Sequence, residues 1–245
     1  MPKKQRIDVL LVERGLVESR SLAQRLVMAG QVRADGQVVP KPASRVATTA
    51  RIEIDSGPRF VSRGGEKLAA ALEAFGVDPA GRVCADVGAS TGGFTDCLLQ
   101  RGAAKVYAID VGHGVLHWKL RNDQRVVVME RTNARYLESL PEAVDLVTVD
   151  ASFISLKVLL PVVRGWLPPS GGEVIALIKP QFEAGKRQAA RGRGVIRDPQ
   201  VHQRVLLDVL RFARGQGFKV SGLIRSPLKG PKGNLEFLIG LEVES

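Results

Sequence analysis

The chain has 245 residues, 44% of them hydrophobic, enough for one sizeable α/β core and a small accessory domain. Its formal net charge of +11 favours polyanionic partners, because a basic surface raises the local concentration of phosphate. No apolar run reaches the roughly 20 residues of a membrane-spanning helix, and the start from Met1 to Asp8 lacks the apolar core of a signal peptide. A cytoplasmic location without a membrane partner is therefore expected, with Cys84 and Cys97 as buried free thiols.

The positive charge is clustered. Lys3, Lys4, Arg6, Arg14, Arg20, Arg25 and Arg33 crowd the start, and Lys186, Arg187, Arg191, Arg193 and Arg197 fall in one later loop. Clustering favours nucleic acid over a merely soluble basic protein. Two Trp and two Tyr argue against a broad base-stacking platform.

The first segment is predicted as helix, turn, helix, hairpin. Ile7 to Gly15 forms a helix that turns Val9 or Leu10, Leu11 and Val12 inward and stops at glycine. Ser19 is an N-cap for a second helix carrying Leu22, Ala23, Leu26 and Val27, which ends at Gly30. A hairpin over Gln31 to Val39 turns at Asp35-Gly36, a dipeptide suited to tight turns, and a strand follows at Arg51 to Ile54. Gly57-Pro58 breaks the pattern, so domain bounds of 1–58, a linker at 59–62 and a second domain at 63–245 are expected. With Arg6-Ile7-Asp8, Ser19 to Leu26, Gly30-Gln31-Val32 and the Asp35-Gly36 turn, this segment resembles the S-four-type RNA-binding domain, a small α+β module. The resemblance implies phosphate contacts from Arg6, Arg20, Arg25 and Arg33.

After a helix from Ser62 to Phe75, strands are predicted near 82–88, 105–110, 126–130, 144–150, 173–179, 219–225 and 235–242. Helices are predicted near 93–101, 115–121, 155–166 and 199–215, the last with an apolar stripe at Val201, Val205, Val209 and Phe212. Such alternation implies an α/β fold with a mainly parallel sheet covered on both faces. In open sheets of this kind ligands bind at the carboxyl-terminal edge. Three strands deliver chemistry to that edge: Val83 to Val87 runs into a glycine-rich turn, Val144 to Val149 ends in Asp150, and Val174 to Ile178 ends in Lys179.

Gly88, Gly92 and Gly93 allow a tight turn and close approach to a ligand, while Asp86 precedes the turn and Asp110 ends the second strand. The spacing is not that of the dinucleotide fingerprint. An acid for ribose hydroxyls and another for an ammonium group favour S-adenosylmethionine over a pyrophosphate-bearing cofactor. Methyl transfer to a hydroxyl needs an aligned acceptor whose proton is removed. A lysine serves as base only with a depressed pKa, whereas a nearby carboxylate favours its charged form. If the last strand runs antiparallel, Glu236 joins Asp150 and Lys179, and Lys67 can cover the cofactor side.

Ser62 to Leu68, Asp86 to Asp96, Asp110-Val111-Gly112, His117 to Arg121, Asp150 to Leu156, Lys179 to Glu183 and Asn234-Leu235-Glu236 together resemble the TlyA (hemolysin A) family. That family joins an S-four-type domain to an FtsJ-like methyltransferase domain. The resemblance covers essentially the whole chain. It implies a Rossmann-like sheet, mainly parallel with the last strand antiparallel, and S-adenosylmethionine-dependent ribose 2′-O-methylation of ribosomal RNA in ribosomal subunits. It also implies a catalytic tetrad of Lys67, Asp150, Lys179 and Glu236, in which Lys179 is the base or hydroxyl-orienting group and Asp150 positions it. Cofactor contacts are implied at Asp86, Gly88, Ser90, Thr91, Gly92, Phe94, Asp110, Asn133 and Asp150.

The loop from Gly185 to Arg197 follows the Lys179 strand, so Lys186, Arg187, Arg191 and Arg193 are expected to meet RNA over the acceptor site. His113, His117 and His202 lack metal-ligand spacing, and no metal is expected. Three other readings compete: a membrane-active cytolysin, a non-catalytic RNA-binding assembly factor, and a dehydrogenase, which the glycine spacing disfavours.

Overall fold

In the computed structural model, residues 3–55, 57–169, 171–185 and 192–243 are described. The chain divides into two compact units, Met1–Arg59 and Phe60–Ser245.

In the first unit, strand β1 (Lys4–Arg6) leads into helix α1 (Ile7–Glu13), followed by α2 (Arg20–Met28) and strands β2 (Val32–Ala34), β3 (Gln37–Val38), β4 (Arg45–Ala47) and β5 (Ile52–Ile54). The Ser19 hydroxyl accepts from the Leu22 amide at 3.2 Å and starts α2 as expected. At the hairpin tip Asp35 and Gly36 have φ of 49° and 79°, the left-handed pair that a two-residue turn requires. The buried core joins Ile7, Leu11, Ala23, Val27, Val32 and Val39. On α1 the inward residues are Ile7, Asp8, Leu10 and Leu11, so the expectation for Val9 and Val12 was a fraction of a turn out. Sequence reasoning did not find the antiparallel pair β1·β4, whose strands are three residues long and mostly polar.

The second unit starts with α3 (Gly64–Phe75), followed by β6 (Val83–Val87), α4 (Gly93–Gln100), β7 (Lys105–Ile109), α5 (Trp118–Arg121), β8 (Val126–Met129) and β9 (Leu146–Val149). Next come α6 (Leu156–Arg164), β10 (Glu173–Ile178), α7 (Pro180–Glu183), α8 (Pro199–Gly215), β11 (Phe218–Arg225) and β12 (Phe237–Val243). The seven strands lie in the order β11-β12-β10-β9-β6-β7-β8, and β12 is antiparallel to both neighbours. One apolar layer, including Leu159, Leu160, Val205 and Val209, covers one face, and a second, including Leu68, Leu72 and Leu98, covers the other.

Strand order reverses at β6, which pairs with β7 on one side and β9 on the other. A crevice therefore opens beyond the carboxyl ends of β6 and β9. Phe60, expected in a linker, is buried in the second unit's core. Its ring fills the space where a Cβ of Gly65 would stand. Cys84 and Cys97 are buried thiols without a disulfide.

Candidate active site

At the end of β6, Gly88 has φ of 83°, and its amide donates to the Ile109 carbonyl at 2.8 Å. A Cβ at this position would lie 2.8 Å from the Asp150 carbonyl oxygen. Only glycine lets the turn and the end of β9 meet this closely. Asp110, just past β7, accepts from the Ser90 amide at 2.8 Å and the Gly112 amide at 2.7 Å, one on each oxygen. Each carboxylate oxygen has two acceptor sites, so capacity remains for hydroxyl donors. Gly88, Ser90, Asp110, Asn133 and Asp150 line a cavity of about 540 Å³, within the roughly 300–1,000 Å³ usual for small-ligand sites.

Asp86 and Gly92 stand elsewhere. Period-two alternation puts Asp86 on the same face of β6 as Cys84, beneath α4. There its carboxylate is fully buried and accepts from the Thr95 hydroxyl at 2.7 Å and the Thr148 hydroxyl at 3.1 Å. It lines none of the three cavities described here, and its bonds tie β6, α4 and β9 together. Gly92 likewise makes room for Leu116 and Leu120 instead of facing a cavity.

Burial pushes the Asp86 carboxyl up to about 7, against the opposing pull of the two threonine hydroxyls. A folded-state value above the unfolded one of about 3.8 means that the ionised group disfavours folding above pH 7. That penalty is relieved as pH falls from about 7 towards 4. Asp86→Asn is expected to gain on the order of 2–4 kcal/mol over wild type at pH 8, with the gain vanishing near pH 4. Urea denaturation across that range checks this, and a gain independent of pH would reject it.

Two ion pairs occupy the same edge, one nearly buried and one opening to solvent through Asp150. Lys179 Nζ lies 2.5 Å from Asp150 Oδ1 and donates to the Ser152 hydroxyl at 3.0 Å and the Asp150 carbonyl at 3.3 Å. Lys67, on α3, reaches Glu236 Oε2 at 2.6 Å. Ile178 pairs with Phe237 across β10 and β12, which sets Lys179 and Glu236 at the ends of adjacent strands. Glu236 Oε1 is buried without a hydrogen-bond partner among the described residues, and the chain at Gly230 packs directly on this carboxylate.

Lys179 and Glu236, with Phe153, Gln181, Phe182 and Lys232, line a second cavity of about 720 Å³. Lys67 and Asp150, with Arg63, Thr91, Phe94 and Lys232, line a third of about 420 Å³. The three share lining residues: Gly88, Ser90 and Asp150 between the first and third, Ser152 and Phe153 between the first and second, Pro231 and Lys232 between the second and third. They form one branched groove, and the four ionisable groups sit along it as two pairs.

Several residues of the groove escaped the sequence reading. Phe153 is 90% exposed at φ 64°, and its ring lies 5.0 Å from that of Phe182. Phe153 falls within the Asp150 to Leu156 motif, but no periodicity around it marks such a role. Asn234 is buried, accepts from the Ile196 amide at 3.1 Å and donates to the Gly194 carbonyl at 2.9 Å, tying that loop to the approach to β12.

Of the basic residues expected to meet RNA, Arg25 donates to Ser21 at 3.0 Å and Arg33 to the Gly36 carbonyl at 3.4 Å, both from exposed positions. Arg6 and Arg20 both engage Asp8. Arg193 has φ of 50° and lines a surface cavity with Arg197 and Lys232. Lys186, Arg187 and Arg191 lie outside the described residues. Among the described residues no cluster has a metal-binding composition, and no helix is long and apolar enough to cross a membrane.

A family model described as FtsJ-like methyltransferase matches residues 60–243, and one described as S4 domain matches residues 5–52. The chain is 49% identical over 249 residues to the 16S/23S rRNA (cytidine-2′-O)-methyltransferase TlyA of Mycobacterium tuberculosis, covering 100% of this chain and 92% of that protein. It is 42% identical over 237 residues to Hemolysin A of Brachyspira hyodysenteriae, covering 95% and 98%. A solved structure from Streptococcus thermophilus, described as a hemolysin, superposes with a TM-score of 0.74 at 44% identity, covering 100% of this chain and 90% of that one.

Proposed function

The chain belongs to the TlyA family of FtsJ-like methyltransferases, and from that premise we propose that it methylates ribose 2′-hydroxyl groups of ribosomal RNA with S-adenosylmethionine, using Lys67, Asp150, Lys179 and Glu236. One observation carries the assignment of residues: the Lys179–Asp150 pair stands where the cavity of Asp110 meets the cavity of Phe153 and Phe182.

The residues around the first cavity fit the cofactor. Asp110 keeps acceptor capacity for ribose hydroxyls, Asn133 offers its amide, and Gly88 and Ser90 bring backbone close to the ligand. When bound, S-adenosylmethionine supplies an electrophilic methyl group on a sulfonium centre. The second cavity receives the acceptor nucleoside. Phe153 and Phe182 offer aromatic faces to a base, a contact worth about 1–3 kcal/mol.

Lys179 orients the acceptor. Three oxygen acceptors surround its Nζ, the arrangement that suits a donating ammonium. With the weakest of these bonds, to the Asp150 carbonyl at 3.3 Å, given up, one N–H holds the 2′-oxygen in line for attack and stabilises the negative charge that builds there as the hydroxyl proton passes to water in the open groove. Asp150 fixes the lysine in that direction. Lys67 and Glu236 brace the opposite wall and give the groove its second charge pair.

The direct test supplies the full chain with labelled S-adenosylmethionine and purified ribosomal subunits from cells lacking the protein. Ribose 2′-O-methyl groups are expected at discrete positions of the RNA, each resistant to alkaline cleavage. Label on neither subunit, or label on bases only, would reject the reading.

A further inference from the structure

Asp8 lies on α1 with its carboxylate fully buried, a place where an acid is rarely found unless paired. Arg6 donates to it through Nε at 3.0 Å and Nη2 at 2.9 Å, Arg20 through Nε at 3.0 Å, and Gln24 through its amide at 3.2 Å. Three of these four bonds converge on Oδ2 and one falls on Oδ1. The arginines themselves remain at the surface, with side-chain exposures of 41% and 55%. The bonds leave Arg6 Nη1 and both Nη groups of Arg20 without a hydrogen bond to the acid.

We propose that Asp8 is a positioning residue for RNA binding, holding the Arg6 and Arg20 guanidiniums side by side so that their outer N–H groups clamp one phosphodiester. This inference rests on the RNA reading above and adds to it the acid that builds the phosphate site. A free arginine loses rotamer freedom when it binds a phosphate, and a planar fork already fixed by a carboxylate loses less. Arg6 and its neighbours also hold the Asp8 carboxyl well below the usual carboxylate range, so the clamp persists wherever RNA is bound. The two guanidiniums outweigh the single acid, and the local surface stays positive. Among the described residues Arg25 and Arg33 have no such anchor, since each makes a single exposed hydrogen bond to a neutral group.

Charge alone and positioning predict opposite signs for Asp8→Asn. Removing a negative charge from a basic face would, by electrostatics alone, tighten RNA binding and steepen its salt dependence. Loss of the clamp instead weakens binding to purified ribosomal subunits, about tenfold at low salt, and reduces the slope of log affinity against log salt by roughly 1. Arg20→Lys supplies a second arm, carrying the test even if Asp8→Asn does not fold by circular dichroism. It keeps the charge but loses the fork, so affinity is expected to fall severalfold. Tighter binding by Asp8→Asn, or unchanged affinity in Arg20→Lys, would overturn the inference while leaving the RNA reading intact. Wild-type protein that binds neither subunit would overturn both.

Discussion

Lys179→Ala is expected to lower methyl transfer about a thousandfold while cofactor affinity changes by no more than about threefold. The asymmetry follows from position. Lys179 lines the cavity of Phe153 and Phe182, whereas Asp110 and Asn133 line the neighbouring one. Removing the lysine therefore empties the acceptor side of its orienting group and leaves the cofactor side intact. Asp150 keeps partial access to water, so the orphaned carboxylate is resolvated at modest cost and the fold should hold. Lys179→Arg should recover little, because a planar guanidinium cannot donate from the same point to Asp150, Ser152 and a hydroxyl. Single-turnover transfer to ribosomal subunits, paired with calorimetric titration of the cofactor, separates the two effects. Transfer within tenfold of wild type would remove Lys179 from the chemistry. Lost cofactor binding would instead place it in the methyl-donor site.

How far this arrangement could be read in advance depended on whether backbone or side-chain packing decides each position. Asp150 and Lys179 were visible because each follows an apolar run, and parallel strands deliver their last residues to one edge. Glu236 needed one further inference, that β12 runs antiparallel, and the register Ile178 to Phe237 agrees with that direction. Adjacency to the glycine turn does not show which way Asp86 faces: alternation along β6 turns its side chain under α4 towards Thr95. The same limit applies to Gly92. A glycine in a turn can serve a ligand or a neighbouring leucine, and only packing distinguishes them. The Asp8 clamp was out of reach as well: Arg6 is two positions away and Arg20 twelve, and nothing in the linear order says that both guanidiniums turn onto one buried acid. Fold class follows from periodicity, whereas the partner of a buried polar atom is a tertiary fact.

Lys67→Met is expected to destabilise the protein by about 3 kcal/mol as well as impair transfer, unlike Lys179→Ala. The two pairs differ in burial: the side chain of Lys67 is nearly buried and that of Glu236 fully so, while Asp150 opens to the groove. Among the described residues Glu236 has one oxygen without a partner, and Lys67 satisfies the other. Without the lysine a poorly solvated carboxylate would stand against the chain at Gly230 without its counterion. For a chain of this length the loss corresponds to a melting temperature lower by about 6–12 °C. The double variant Lys67→Met, Glu236→Gln removes the stranded charge, so it should regain most of that stability while transfer stays low. Thermal melts of the three proteins beside transfer assays decide the matter. If the double variant melts as low as Lys67→Met, packing of the lysine stem rather than charge holds this wall. If Lys67→Met melts with wild type, Glu236 has found another partner, and the pair does not brace the groove.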